Sequence, residues 1–106
     1  MYSRIITCSI DRSRIDEFRT VLNQEFLPRI QRQPGFIENI ESLDSGTGEF
    51  CCTTLWNSKS DVENYDKGLF QEISARLGPM MVGAPSVRNL PVENSSVHRI
   101  ATGKAA

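Results

Sequence analysis

The sequence predicts an α+β domain with one antiparallel sheet, and three observations predict it. Phe36 to Leu43 and Glu49 to Trp56 are two strand-like runs separated by Asp44-Ser45-Gly46-Thr47-Gly48, whose glycines supply the backbone freedom of a hairpin loop. Two further stretches, one on each side of that hairpin, repeat apolar residues at three- and four-residue spacing, the period of a helix with one buried face. Runs mixing β-branched and polar residues open the chain and close its patterned part.

The first run, Tyr2 to Ile10, alternates Tyr2, Arg4, Ile6, Cys8 and Ile10 with Ser3, Ile5, Thr7 and Ser9, so apolar residues fall on both faces of the strand. That distribution predicts a sheet covered on both sides. Ser13-Arg14-Ile15-Asp16 reads as a capping-box variant with Ser13 as the cap, and Ile15, Phe18, Leu22 and Phe26 form the stripe of the helix that follows. Pro28 is expected to kink that helix or mark its last turns, and Pro34-Gly35 to end it. After the hairpin, Ser58 with Asp61, or Ser60 with Glu63, caps a short helix carrying Val62 and Tyr65. Gly68 interrupts it; Leu69, Phe70, Ile73 and Leu77 resume the helical period until Gly78-Pro79. Ser86 to Pro91 reads as a last short strand. The folded domain is therefore expected over residues 1–92, with a polar C-terminal tail over residues 93–106 that holds the single histidine, His98.

Composition bounds the function. A chain of 106 residues fits one domain, and 39% hydrophobic with 24% charged residues is the balance of a globular protein. The formal net charge of -1, with scattered basic residues, predicts no nucleic-acid partner. No run approaches the ~20 apolar residues of a membrane span, and the N-terminus has no apolar leader, which predicts no membrane association and a cytoplasmic location. Cys8, Cys51 and Cys52 read as reduced thiols, since their spacing suits neither a disulfide framework nor a zinc site. Gly46-x-Gly48 precedes a strand rather than a helix and is not a phosphate loop.

The order β-α-β-β-α-β is the ferredoxin-like arrangement, which places both helices on one face of the sheet and leaves the other face for a second copy to cover. Leu27-Pro28 late in the first helix, Pro34-Gly35-Phe36 opening the second strand, and Leu55-Trp56-Asn57-Ser58 closing the third carry a family resemblance. Leu69-Phe70 and Pro85 complete the pattern. Over roughly residues 2–91 the chain resembles the antibiotic biosynthesis monooxygenase (ABM)-like family of the dimeric α+β barrel superfamily. The resemblance implies a homodimer. It brings in cofactor-free monooxygenases of polycyclic phenols, haem-degrading monooxygenases and quinol oxidases, besides proteins without known activity. The haem-degrading branch pairs an Asn on the first strand with a Trp and a His on the second helical region. Here the first strand has no Asn, Tyr65 stands near the Trp position, and Leu69 to Leu77 contains no His, so haem is not expected.

The family places a functional aromatic near Tyr65, whose phenol can donate a hydrogen bond to a developing oxyanion or serve only as a packed ring. Arg4 and Arg88 sit inside predicted strands, where a charged side chain reaches solvent, a partner subunit or an anionic ligand. These three are the candidate catalytic residues. Trp56, Phe18, Leu22, Phe26, Asn39, Phe70, Met80 and Met81 are the candidate substrate-binding residues, expected to line a cleft between helices and sheet or simply to fill the core. No Ser-His-Asp or Cys-His set and no metal-ligand cluster can be assembled, so neither hydrolytic chemistry, nor a metal, nor any other cofactor is expected. The expected function is a cofactor-independent monooxygenase acting on a small phenolic or enolisable aromatic compound. A non-catalytic small-molecule-binding or stress-associated dimer of the same fold stays open as the alternative, as does a pure assembly module.

Overall fold

The computed structural model of the chain describes residues 1–98. Four strands, β1 (Tyr2–Ile10), β2 (Phe36–Leu43), β3 (Glu49–Trp56) and β4 (Met81–Pro91), form one sheet in the order β2-β3-β1-β4. Every neighbouring pair is antiparallel. Helices α1 (Ile15–Thr20) and α2 (Leu27–Ile30), joined by a π-helical segment over Val21–Phe26, connect β1 to β2, and α3 (Lys59–Lys67) and α4 (Leu69–Leu77) connect β3 to β4. This is the α+β, ferredoxin-like β-α-β-β-α-β fold read from the sequence, and the boundaries of β1, β2 and β3 agree with that reading. The polar tail expected over residues 93–106 is described only as far as His98; its remainder lies outside the described residues.

Two local expectations are corrected, and that for Pro28 holds with an added effect. The cap before the first helix is Asp11, whose carboxylate accepts from the Ser13 amide at 3.0 Å and the Ser13 hydroxyl at 2.8 Å, while Ser13 lies inside a short 3-10 turn, Arg12–Arg14. Pro28 stands in the last turn of the helix, as expected, and also acts upstream of itself. Its missing N–H and bulky ring disfavour regular turns before it, and the helix answers with wider ones, the Leu27 amide reaching back to the Leu22 carbonyl. The last strand begins at Met81 rather than Ser86. Its early half is hidden in the sequence because Gly83, at φ 78°, and a register shift opposite Thr7 and Ser9 break the alternation, and Pro85 is tolerated on an edge strand. Elsewhere the capping logic holds: Ser58 accepts from the Asp61 amide at 3.2 Å and donates to its carboxylate at 2.8 Å.

The core lies between the helices and the inner face of the sheet, built from Ile10, Phe18, Phe50, Trp56, Val62, Tyr65 and their neighbours. Register fixes which sheet residues share that face. Tyr2, Trp56, Phe36 and Pro91 form one row across four strands; Arg4, Thr54, Asn39 and Asn89 form the next; Ile6, Cys52, Glu41 and Val87 the third; and Cys8, Phe50 and Leu43 follow. The outer face carries Ile5, Leu55, Ile40 and Leu90, of which Ile40 is 50% and Leu90 41% exposed. No helix covers it.

The Trp56 indole is fully buried and donates to the Thr54 hydroxyl at 2.8 Å, which satisfies its one polar atom inside the core. Replacing Thr54 by Val keeps the shape and leaves the indole N–H unpaired. Thr54→Val should lower unfolding free energy by about 1–3 kcal/mol in urea titrations, and an unchanged midpoint would show that the bond carries no stability.

Candidate functional site

The second row of the inner face is polar from edge to edge, between an aromatic row and a largely apolar one. Arg4 stands within it at 1% exposure. A buried guanidinium costs several kcal/mol unless its five N–H groups find acceptors. One terminal nitrogen meets the Asp66 carboxylate of α3 at 2.7 Å, and the other donates to the Asn89 side chain of β4 at 3.2 Å. Its Nε is buried and has no partner among the described residues. The guanidinium lies 4.2 Å from the centre of the Phe70 ring and 5.8 Å from that of Tyr65, so aromatic faces stabilise the rest of its charge.

Tyr65 is buried on α3, its ring 4.7 Å from Trp56 and 6.0 Å from Phe70. Its hydroxyl makes no hydrogen bond among the described residues. Burial raises its pKa above the ordinary tyrosine value and outweighs the opposing pull of Arg4, so the phenol keeps its proton as a donor. Gly68 makes this juxtaposition possible. By ending α3, with its amide bonded to the Asn64 and Tyr65 carbonyls, it lets the chain turn so that Phe70 on α4 comes back beside Tyr65.

Further along the same face, the Asn39 amide donates to Glu41 at 2.8 Å and its carbonyl oxygen accepts from the Cys52 thiol at 3.1 Å. Glu41 lies on the wall of a cleft of about 190 Å³ between the π-helical segment and β2, whose floor is Phe18, Leu22, Leu43 and Phe50 and whose rim carries Arg19 and Asn23. A second, wholly apolar pocket of about 50 Å³ lies between α4 and the sheet, with Ile6, Cys8, Phe70, Leu77 and Met81 among its walls. Phe18, Leu22 and Phe50 are common to both and form the partition between them.

The structure thus brings Arg4, Tyr65, Trp56 and Phe70 into one cluster, and places Phe18, Leu22, Phe70 and Met81 on the pocket walls. Asn39 joins the polar row. Phe26 and Met80 are buried in the core and, like Arg4, Trp56 and Tyr65, line neither space. Arg88 pairs in register with Ile5 and so faces the outer side, away from Arg4, and is exposed. His98 is not isolated: its ring contacts Glu38 at the start of β2. Sequence reasoning passed over Asp66, Asn89, Glu41 and Cys52. Asp66 carried a signal, one step after Tyr65 at the end of a capped helix, whereas Asn89 meets Arg4 only through a register that the β4 irregularity hides.

Burial raises the Cys8 thiol from 9.0 to about 11 and the Cys52 thiol from 9.0 to about 12. Both groups therefore hold protons in the folded chain that the unfolded chain has already released, as does Tyr65 at higher pH. Their contribution to stability is complete below about pH 9 and is lost as pH rises through the folded values. Urea midpoints should fall steadily from about pH 9 to about pH 11, and the fall should shrink in Cys52→Ala. A flat profile would contradict the buried, neutral thiols.

No protein-family model matches the sequence, and no curated protein matches it. Solved structures do match the fold. The monooxygenase from the gene ActVA-Orf6 of Streptomyces coelicolor, in complex with nanaomycin D, superposes with a TM-score of 0.75 at 13% identity, covering 92% of each chain. SnoaB, a cofactor-independent oxygenase from Streptomyces nogalater, gives 0.73 at 11% identity over 92% of this chain and 97% of that one. An antibiotic biosynthesis monooxygenase gives 0.72 at 15% identity over 87% and 98%. A sheet in the order β2-β3-β1-β4 with both helical connections on one face, matched over nearly the full length of these proteins, is the fold of the antibiotic biosynthesis monooxygenases, and this chain has it.

Proposed function

We propose that the chain is a cofactor-independent monooxygenase of a small phenolic or enolisable aromatic compound. The observation that carries the reading is Arg4: a guanidinium at 1% exposure with a buried N–H that has no partner among the described residues, beside a protonated phenol that likewise has none among them. Such a pair suits an enolate oxygen, which forms only after a proton leaves carbon and gains most from donors held in a dry, preorganised site. Two structural neighbours, a monooxygenase and a cofactor-independent oxygenase, support the same chemistry.

In this mechanism the aromatic compound enters the cleft over Phe18, Leu22 and Phe50 and displaces the side chains between it and the polar row, so that its oxygen reaches Arg4 and Tyr65, which do not line the cleft in the free chain. Glu41 on the cleft wall takes a proton from the activated carbon, and Tyr65 and Arg4 hold the enolate oxygen. The carbanion passes its electrons to dioxygen, and a carbon–oxygen bond forms to give a peroxide. Breaking the O–O bond with loss of water leaves a carbonyl at that carbon. The balance is CH2 plus O2 to C=O plus H2O, with all four electrons drawn from the substrate.

Tyr65→Phe should retain the fold and ligand binding but lose ~10²–10³ in turnover, the usual effect of removing one oxyanion donor. Arg4→Met removes a buried charge and leaves Asp66, 44% exposed, able to meet water, so it should fold while losing both affinity and turnover. An oxygen-electrode screen of several phenolic substrates in metal-free buffer checks both. Equal rates for wild type and Tyr65→Phe on any compound turned over would refute the Tyr65 role, and no uptake on any compound would favour a non-catalytic binding protein.

The outer face, with Ile5 and Leu55 half-buried and Ile40 and Leu90 exposed, supports a homodimer as the working unit. Light scattering at micromolar concentration should give twice the 11.9 kDa chain mass. A stable monomer would contradict it.

A further inference from the structure

The apolar pocket between α4 and the sheet is too small for the ring that the cleft accommodates. Its volume is about 50 Å³. A water molecule takes ~30 Å³ in the liquid, and cavities that bind benzene are ~150 Å³, so this space suits one diatomic molecule and excludes a six-membered ring. Its chemistry excludes water as well. A water needs two to four polar partners, and the walls offer aliphatic and aromatic carbon, two thiols and, at the exposed rim, the single hydroxyl of Ser74. Burial keeps those thiols, Cys8 and Cys52, protonated, which leaves the pocket uncharged and its sulfur weakly nucleophilic.

Its position gives it a use. Phe18, Leu22 and Phe50 separate it from the cleft, and Phe70 on its wall also carries the Arg4 guanidinium at 4.2 Å. A molecule in the pocket therefore sits one side-chain layer from the cleft and next to the ring that carries the oxyanion-holding charge. Leu22 belongs to the π-helical segment, where the wide turns depart from the regular helical ladder. We infer that this pocket is a dioxygen site: it holds the co-substrate in an apolar chamber behind the Phe18–Leu22–Phe50 partition, next to the substrate cleft. This inference rests on the oxygenase reading for its use of the gas, and on volume and wall chemistry alone for binding it.

Dioxygen is paramagnetic and can report its own binding site. Under oxygen pressure, methyl protons of Ile73 and Leu77, which are buried and line the pocket, should relax several-fold faster than those of Ile15 and Ile30, which are buried elsewhere in the core. Cys8→Leu, which fills the chamber, should abolish the difference. Ser74→Leu does the same from the exposed rim of α4 and guards against a folding defect in the first variant. Equal relaxation at pocket and control methyls in the wild type would overturn the site whether or not the protein oxidises anything. With a turned-over substrate, Ser74→Leu should raise the KM for oxygen and leave the KM for the aromatic compound unchanged. An unchanged oxygen KM would also overturn the inference, whereas pocket relaxation without any oxygen uptake in the substrate screen would support the gas site and count against the oxygenase reading alone.

Discussion

The burial of the Arg4 guanidinium between sheet and helices is the constraint on which the rest of the site depends. A charge in that position is stable only if the elements around it arrive in one arrangement. Asp66 must come from the end of α3, Asn89 from the edge strand β4, and the rings of Tyr65 and Phe70 from two successive helices. Each demand fixes a different part of the fold. The Asn89 contact fixes the register of β4 against β1, the Asp66 contact sets where α3 stops over the sheet, and the Phe70 contact requires the break at Gly68. A Leu at position 4 would pack without any of these partners, so the arrangement costs stability that an apolar residue would not. What it provides is a spare N–H in a dry, aromatic setting.

The helical layer above that row is irregular where the open spaces lie. The π-helical segment Val21–Phe26 overlies the cleft, and Pro28 supplies its physical cause. Leu22 within the wide turns and Phe18 just before them bound both the cleft and the apolar pocket, with Phe18 packed edge-to-face on Phe50 of β3 at 4.9 Å. Inner-face chemistry then grades from aromatic at Trp56, through polar at Arg4 and Asn39, to apolar at Phe50 and Cys8. An amphiphilic aromatic ligand matches that gradient in one orientation.

Much of this was legible in the residues. Strands β1, β2 and β3, the Ser58 cap and the Gly68 break follow from local rules that act within a few residues, and so they could be read without the fold. The last strand was truncated in that reading because its bulge at Gly83 and its edge position permit a pattern that local rules assign to a loop. Arg4 and Tyr65 stood out as a charge in a strand and a phenol on an apolar stripe. Their partners did not. Asn89 and Asp66 are ordinary surface residues until long-range pairing places them beside residue 4, and Arg88 resembled Arg4 until one step of register put it on the opposite face.

The central claim is that the spare donor of Arg4 and the hydroxyl of Tyr65 receive one oxygen of an aromatic ligand. A crystal structure with a phenolic or enolisable aromatic compound bound under anaerobic conditions tests it most directly. The account predicts the ring over Phe18, Leu22 and Phe50, and its oxygen within about 3.2 Å of both the Arg4 Nε and the Tyr65 hydroxyl. A ligand bound on the outer face, or one in the cleft with its oxygen turned away from Arg4 and Tyr65, would contradict it.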